Sequence, residues 1–176
     1  MLSDIAYIGL GSNLGTPVQQ LEQALKAIEI HNQMSLVASS HFYASSPMGP
    51  KNQPDYVNAV CKIKTSLQPQ ALLVALQDME NQQGRERLGE RWGPRTLDLD
   101  ILLFNDIALK TRELTLPHYG MREREFVLVP LFEISPDLIM QDGRSLATWV
   151  AKCNLDGLYR VNGKTSSVKQ KQVRRN

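Results

Sequence analysis

The stretch that most restricts what this chain can fold into runs from Arg91 to Phe104. In its second half Leu97, Leu99, Ile101 and Leu103 fall on one parity, and Asp98, Asp100, Leu102 and Phe104 on the other. A period of two is the signature of a β-strand, so both carboxylates should leave the same face, about 7 Å apart. Two anions that close repel each other unless a cation sits between them. Hard oxygen ligands of this kind suit magnesium, which takes one or two carboxylates and completes its shell with water and phosphate oxygens. Just upstream stand Arg85, Arg87, Arg91 and Arg95, whose guanidiniums offer forked donors to phosphate. Together the two halves describe a metal–triphosphate site on the end of a strand.

The remaining elements follow in order. Asp4 to Leu10 is an apolar run with the character of a central strand. Its Gly9-Leu10-Gly11 is no dinucleotide fingerprint, because Leu14 stands where the third glycine belongs. Thr16, Pro17 and Gln19 predict a capped helix start, with Leu21, Leu25 and Ile28 on one face to about Ile30. Leu36 to Ser46 reads as a strand, and Ser46 to Pro54, with three prolines and a glycine, as a long surface loop. From Tyr56 alternation returns, placing Val57, Ala59, Cys61 and Ile63 on one face and Tyr56 and Asn58 on the other. Pro69 opens a second helix through Leu72, Leu76 and Met79, with Gly84 past its end. The order strand–helix–strand–strand–helix–strand predicts an α+β, ferredoxin-like βαββαβ core with helices on one face of an antiparallel sheet. Beyond it, Asn105-Asp106 should turn into a hairpin strand at Ile107–Lys110. A helix should open near Arg124, although Pro130 argues against its continuing. Ser145 should cap a short helix through Trp149. Additional C-terminal hairpin strands and helices therefore complete the fold.

Beyond these patterns, Arg91 to Phe104 closely resembles the signature of the 6-hydroxymethyl-7,8-dihydropterin pyrophosphokinases, a family of folate biosynthesis. The likeness extends through Ala6 to Leu14, Phe42-Tyr43, Gln53 to Ala59 and Pro130 to Ile134. It implies transfer of pyrophosphate from ATP to the hydroxymethyl group of the dihydropterin, releasing AMP, with ATP as co-substrate and two Mg2+ ions on Asp98 and Asp100. It places Arg85 and Arg95 beside them as catalytic residues. For ATP binding it implies Gln77, Glu80, Arg87, Arg91, Trp92, Ile101, Thr115, His118, Tyr119 and Arg124. For the pterin it implies Asn13, Ser45, Ser46, Met48, Tyr56, Asn58 and Phe126, with Tyr56 and Phe126 stacking on opposite faces of the ring. Ser45 and Ser46 depart from the family's threonine–proline pair, and Glu113 stands where an arginine is expected. The loops Ser45–Gln53 and Gln83–Pro94 are expected to close as lids when both substrates bind.

Charge and length bound the alternatives. The chain of 176 residues should be one catalytic domain over 1–159, large enough for a core without staples. The net charge of +2 conceals a tail, 160–176, that carries six cations and no acid and is expected to be disordered and solubilising. The body is therefore negative, which is unhelpful for a nuclease or nucleotidyltransferase that must hold a polynucleotide. An RNA-binding ferredoxin-like module would want an aromatic-rich Lys/Arg-Gly-Phe/Tyr motif, and none is present. The near-Walker run Gly157 to Thr165 has five residues between its glycines and no apolar helix after it. Cys61 and Cys153 lie too far apart in sequence for a Cys-x-x-Cys motif and read as idle thiols. With no apolar run long enough to span a membrane and no signal pattern, a cytoplasmic enzyme is expected, and the family resemblance implies a monomer.

Overall fold

The computed structural model describes residues 1–49, 51–84 and 96–161. The arginine-rich loop 85–95 and the chain beyond 161, on which several expectations fall, lie outside the described residues. Strand β1 (Asp4–Ser12) leads through helix α1 (Pro17–Ile30) to β2 (Met34–Ser39) and β3 (Tyr43–Ser45). After these come β4 (Tyr56–Thr65), α2 (Pro69–Gln82) and β5 (Asp98–Phe104). Strand β1 is central, paired antiparallel with β4 on one side and β5 on the other, while β2 and β3 lie in succession along the far edge of β4. This is the expected βαββαβ arrangement.

The sheet face toward α1 and α2 is sealed. Ala6, Ile8 and Leu10 of β1, Ala59, Cys61 and Ile63 of β4, and Leu99 and Ile101 of β5 pack against Leu21, Ala24 and Ile28 of α1 and Leu72, Leu76 and Met79 of α2. Each large side chain so buried contributes about 1.5–3 kcal/mol relative to exposure. Burial pushes the Cys61 thiol up to about 12, and neither cysteine is in a disulfide.

The C-terminal third covers part of the opposite face. After the short ribbon β6 (Leu109–Lys110) and β7 (Thr115–Leu116), a 3-10 turn (Met121–Glu123) leads into α3 (Glu125–Ile134), then α4 (Leu146–Val150) and β8 (Tyr159–Arg160). Met121, Val127, Leu128, Leu131 and Leu146 cluster there with Tyr7, Val60, Leu102 and Leu103. Helices thus lie on both faces rather than one. No helix among the described residues is long and apolar enough to cross a membrane.

Several local expectations are corrected. The alternation of β5 breaks: Ile8 pairs with Ile101 but Tyr7 with Leu103, so Leu102 is an extra residue in a β-bulge. Parity inverts beyond it, sending Leu103 to the α3 side and Phe104 into the α1–α2 core. The predicted strand Leu36–Ser46 is two strands. Ser40 interrupts it, its hydroxyl accepting from the N–H of Val60 (3.0 Å) and donating to the carbonyl of His41 (2.7 Å). Pro17 begins α1, but the Thr16 side chain makes no capping bond; Pro17 has no N–H to satisfy, and the Thr16 carbonyl takes the Gln20 N–H. The hairpin strand expected at Ile107–Lys110 shrinks to β6. Helix α3 runs through Pro130, held by the burial of Val127, Leu128, Pro130 and Leu131. Ser145 caps α4 as expected, accepting from Thr148 N–H at 3.3 Å. The ordered chain also passes the boundary set at 159, because Arg160 lies in β8 and Val161 N–H donates to the Phe42 carbonyl at 2.8 Å.

Candidate active site

Where the second layer ends, the cleft face of the sheet opens into a cavity of about 720 Å³, part of it continuous with solvent. Its floor is made by the parities that turn away from the α1–α2 core. On β1 these are Gly9 and Gly11, on β4 Tyr56 and Asn58, and on β5 Asp98 and Asp100. The pairing Gly11 with Asn58 on one side and Gly11 with Asp98 on the other sets these groups in one row across three strands. Neither glycine has a positive φ; their use is space. A Cβ on Gly11 would stand 3.3 Å from Asn58 Oδ1, and one on Gly9 3.3 Å from a Leu102 methyl.

One wall is β3 and the loop after it, with Ser45, Ser46, Met48 and Gly49. Helix α3 forms the other with Arg124, Phe126 and Val127. Asn58 is buried and donates its amide to Ser45 Oγ at 2.7 Å, which fixes the orientation of both. Asn13 does not line the cavity. Its buried amide donates to Gln53 Oε1 and to the Pro54 carbonyl, both at 3.0 Å, and so ties down the far end of the Ser46–Pro54 loop. Met48, on the near part of that loop, is exposed.

Beside the carboxylates stands His118, its Nε2 4.0 Å from Asp100 Oδ2. That is too long for a hydrogen bond. Burial, helped by the Arg124 cation, lowers the imidazole pKa to about 4, so the contact is not an ion pair in the ligand-free protein. Gly120 N–H donates to Nδ1 at 3.1 Å, which assigns the ring proton to Nε2, the nitrogen toward Asp100. Arg124 is itself buried, with Tyr119 beneath its guanidinium at 5.7 Å, and Tyr119 stacks on His118. A donor N–H and a permanent cation therefore border the paired carboxylates, an arrangement able to receive a triphosphate.

The other expected ATP residues divide. Glu80 is buried and its Oε1 accepts the Leu99 N–H at 2.7 Å, so it holds the first residues of β5 in place. Gln77 is half-buried on α2, and Thr115 half-buried on β7. The Ile101 side chain is not brought to the cleft; it points into the α1–α2 core. Glu113 is exposed in the turn between β6 and β7. Arg85, Arg87, Arg91, Trp92 and Arg95 lie outside the described residues. Sequence reading missed Gly9, Gly11, Leu102 and Val127, although the strand parity that found Asp98 and Asp100 also puts both glycines on one face.

No group of three or more His, Cys, Asp or Glu among the described residues is arranged to hold a metal. Two carboxylates on one strand face suffice for magnesium, which leaves most of its shell to water and phosphate. The donor set fits.

Residues 7–136 match the family described as 7,8-dihydro-6-hydroxymethylpterin-pyrophosphokinase. The chain is 57% identical over 145 residues to the 2-amino-4-hydroxy-6-hydroxymethyldihydropteridine pyrophosphokinase of Haemophilus influenzae, covering 82% of this chain and 90% of that one. It is 49% identical over 157 residues to the Pseudomonas aeruginosa protein of the same name, covering 89% and 96%. The fold resembles a crystal structure of Plasmodium falciparum HPPK-DHPS with pteroate, at a TM-score of 0.69 and 14% identity, covering 85% of this chain and 42% of that longer one. The chain belongs to the 7,8-dihydro-6-hydroxymethylpterin-pyrophosphokinase family.

Proposed function

We propose that the cleft between β3, β5 and α3 is where this family's reaction takes place, the transfer of pyrophosphate from ATP to 6-hydroxymethyl-7,8-dihydropterin. One observation carries this assignment: Asp98 and Asp100 open onto the same cavity as Tyr56, Asn58 and Phe126. The carboxylate end suits a triphosphate, and the Tyr56–Phe126 end suits a flat heterocycle stacked between aromatic rings. Asn58, already oriented by Ser45, offers its amide oxygen to a ring donor.

In the reaction the hydroxymethyl oxygen bonds to the β-phosphorus of ATP. The bond to the α,β-bridging oxygen breaks, AMP departs, and the hydroxyl proton is released. Such transfers depend on positioning and on charge stabilisation rather than on covalent participation by the protein. Asp98 and Asp100 would hold magnesium, two ions in this reading, which supplies Lewis-acid polarisation of the phosphates and a lowered hydroxyl pKa. Arg124 neutralises phosphate charge from a buried position, where the attraction is less screened by water. His118 donates Nε2–H to a phosphate oxygen, a role that needs the neutral ring. Arg85 and Arg95 take the developing charge, and Arg87, Arg91 and Trp92 complete the nucleotide side; the family resemblance supports these roles. The protein works as a cytoplasmic monomer in this reading.

The test is AMP release from ATP and magnesium, with and without the dihydropterin, in wild type and in Asp98→Ala. Pterin-dependent AMP formation that disappears in the variant is expected. AMP formed without pterin, or ADP in its place, would leave a nucleotide site but reject this reaction, and full activity in Asp98→Ala would reject the assignment of this cleft.

A further inference from the structure

Outside the cleft, among the described residues, a cluster of charged and titratable side chains gathers on Glu133, in the last turn of α3. Its Oε2 accepts from the His41 backbone N–H and from Tyr43 O–H, both at 3.0 Å. Its Oε1 lies against His41 Nδ1 and accepts from Arg160 Nη2 at 3.2 Å, and the same Arg160 nitrogen lies 2.6 Å from His41 Nδ1. Burial alone would raise this carboxyl, but the hydrogen bonds from His41 and Tyr43 outweigh it and hold the group below the usual carboxylate range. A single ionised carboxylate therefore joins α3 to the residues that open β3 and to β8.

Those elements carry the two walls of the cleft. Helix α3 bears Phe126 and Val127, while β3 ends in Ser45 and leads into Ser46. Strand β3 has only three residues, too few to keep a position unaided. It is held from both sides, by β4 through Tyr43–Asn58, Ala44–Val57 and Ser45–Tyr56, and by β8 through Tyr43–Arg160 and Ala44–Tyr159. Gly157, at φ +82°, brings the approaching chain against the same wall: a Cβ there would lie 3.8 Å from Ser46 Oγ.

We propose that Glu133 is a positioning residue for the pterin half of the cleft, and that Arg160 in β8 is its necessary counterpart. The carboxylate fixes the separation between the Phe126 wall on α3 and the Ser45–Ser46 wall on β3. The C-terminal segment through Val161 is then part of the site's architecture and not the start of a solvated tail. The inference rests on reading this end of the cavity as the pterin end. A clasp that only stabilised the fold would lower the denaturation midpoint and leave ligand affinities in the folded protein unchanged.

Two variants separate these roles. Glu133→Gln keeps the shape and removes the charge. Arg160→Met is a surface change, since that side chain is 53% exposed, and it should fold even if the first variant does not. Each is assayed well below its melting temperature for KM of dihydropterin, KM of ATP and kcat. The pterin KM should rise roughly tenfold in both, the size expected for a displaced binding wall, with the ATP KM unchanged. Because Arg160 acts through Glu133, the double variant should be no worse than Glu133→Gln alone. Unchanged pterin KM with a lowered melting temperature would overturn the proposal, as would equal losses for both substrates. A wild-type protein that fails to bind dihydropterin would instead reject the assignment of the pterin end, and this proposal with it.

Discussion

The same three strands present two faces, and the faces obey opposite rules. Toward α1 and α2, strands β1, β4 and β5 show Ala6, Ile8, Leu10, Ala59, Cys61, Ile63, Leu99 and Ile101, all essentially without exposure. One residue along each strand, the cleft face shows Gly9, Gly11, Tyr56, Asn58, Asp98 and Asp100. The first face fills space and the second keeps space empty or lined with oxygen. Stability should therefore depend on one parity and chemistry on the other, which single substitutions can test.

The sharpest break of that symmetry is Asp100→Asn. The side chain is 42% exposed and faces the cavity rather than the sealed core, so the folded protein should persist. On the proposed reading, in which this pair holds the metal against the phosphates, removing one charge should cost about 10³-fold in AMP formation. A variant with a fraction of activity above about one tenth would show that a single carboxylate suffices. Leu76→Ala on the other face should do the reverse. Leu76 is fully buried, and the change should cost about 2–5 kcal/mol in denaturant titration while the folded fraction keeps its pterin KM. Joint loss of stability and pterin affinity there would mean that the two faces are mechanically coupled.

A smaller effect links the faces through pH. His118 is half-buried, its side chain 12% exposed, with a pKa lowered from 6.5 to about 4, chiefly by desolvation and then by the Arg124 charge. As pH falls, the unfolded chain therefore takes up this proton before the folded protein does. The stabilising contribution is complete above pH 6.5, is lost progressively toward pH 4, and changes no further below it. Its size is at most about 3 kcal/mol. Measured without nucleotide or metal, wild type should lose more stability than His118→Gln across that interval. Parallel pH curves for the two proteins would contradict a neutral, desolvated imidazole.

Much of this division was legible because period-two patterning encodes burial directly. Asp98 and Asp100, Tyr56 and Asn58, and the placing of β1 and both core helices followed from parity and spacing. What failed had causes that a one-dimensional pattern does not carry. The bulge at Leu102 reversed parity for Leu103 and Phe104, because the extra residue belongs to pairing with β1 and leaves no local mark. Nothing in the helical spacing announced that Glu80 is buried against the Leu99 N–H, a contact 19 residues away. Asn13, which the resemblance implies at the pterin, also restrains the loop at Gln53 and Pro54, contacts some 40 residues away that no local pattern announces. Arg160 counted as tail because composition turns basic there, whereas its ion pair with Glu133 lies in the fold. Long-range pairing decided each case.

The finest test of the comparison is Gly11→Ala, which adds one methyl to the open face and changes nothing on the sealed one. Its backbone φ is not positive, so strain is not the issue and the unfolded chain loses a little freedom. The new Cβ would sit 3.3 Å from Asn58 Oδ1 and 3.7 Å from a Tyr56 ring carbon. Both can give only by moving, and Asn58 is held by its bond to Ser45 Oγ. Stability should change by less than about 1 kcal/mol, while the KM for dihydropterin should rise several-fold and that for ATP stay constant. Gly9→Ala makes a useful control, since its methyl would press on the movable end of Leu102 and not on a ring-recognising group. If both alanines weaken pterin equally, the floor matters only as volume. If Gly11→Ala alone does, the empty position beside Asn58 and Tyr56 helps to select the substrate.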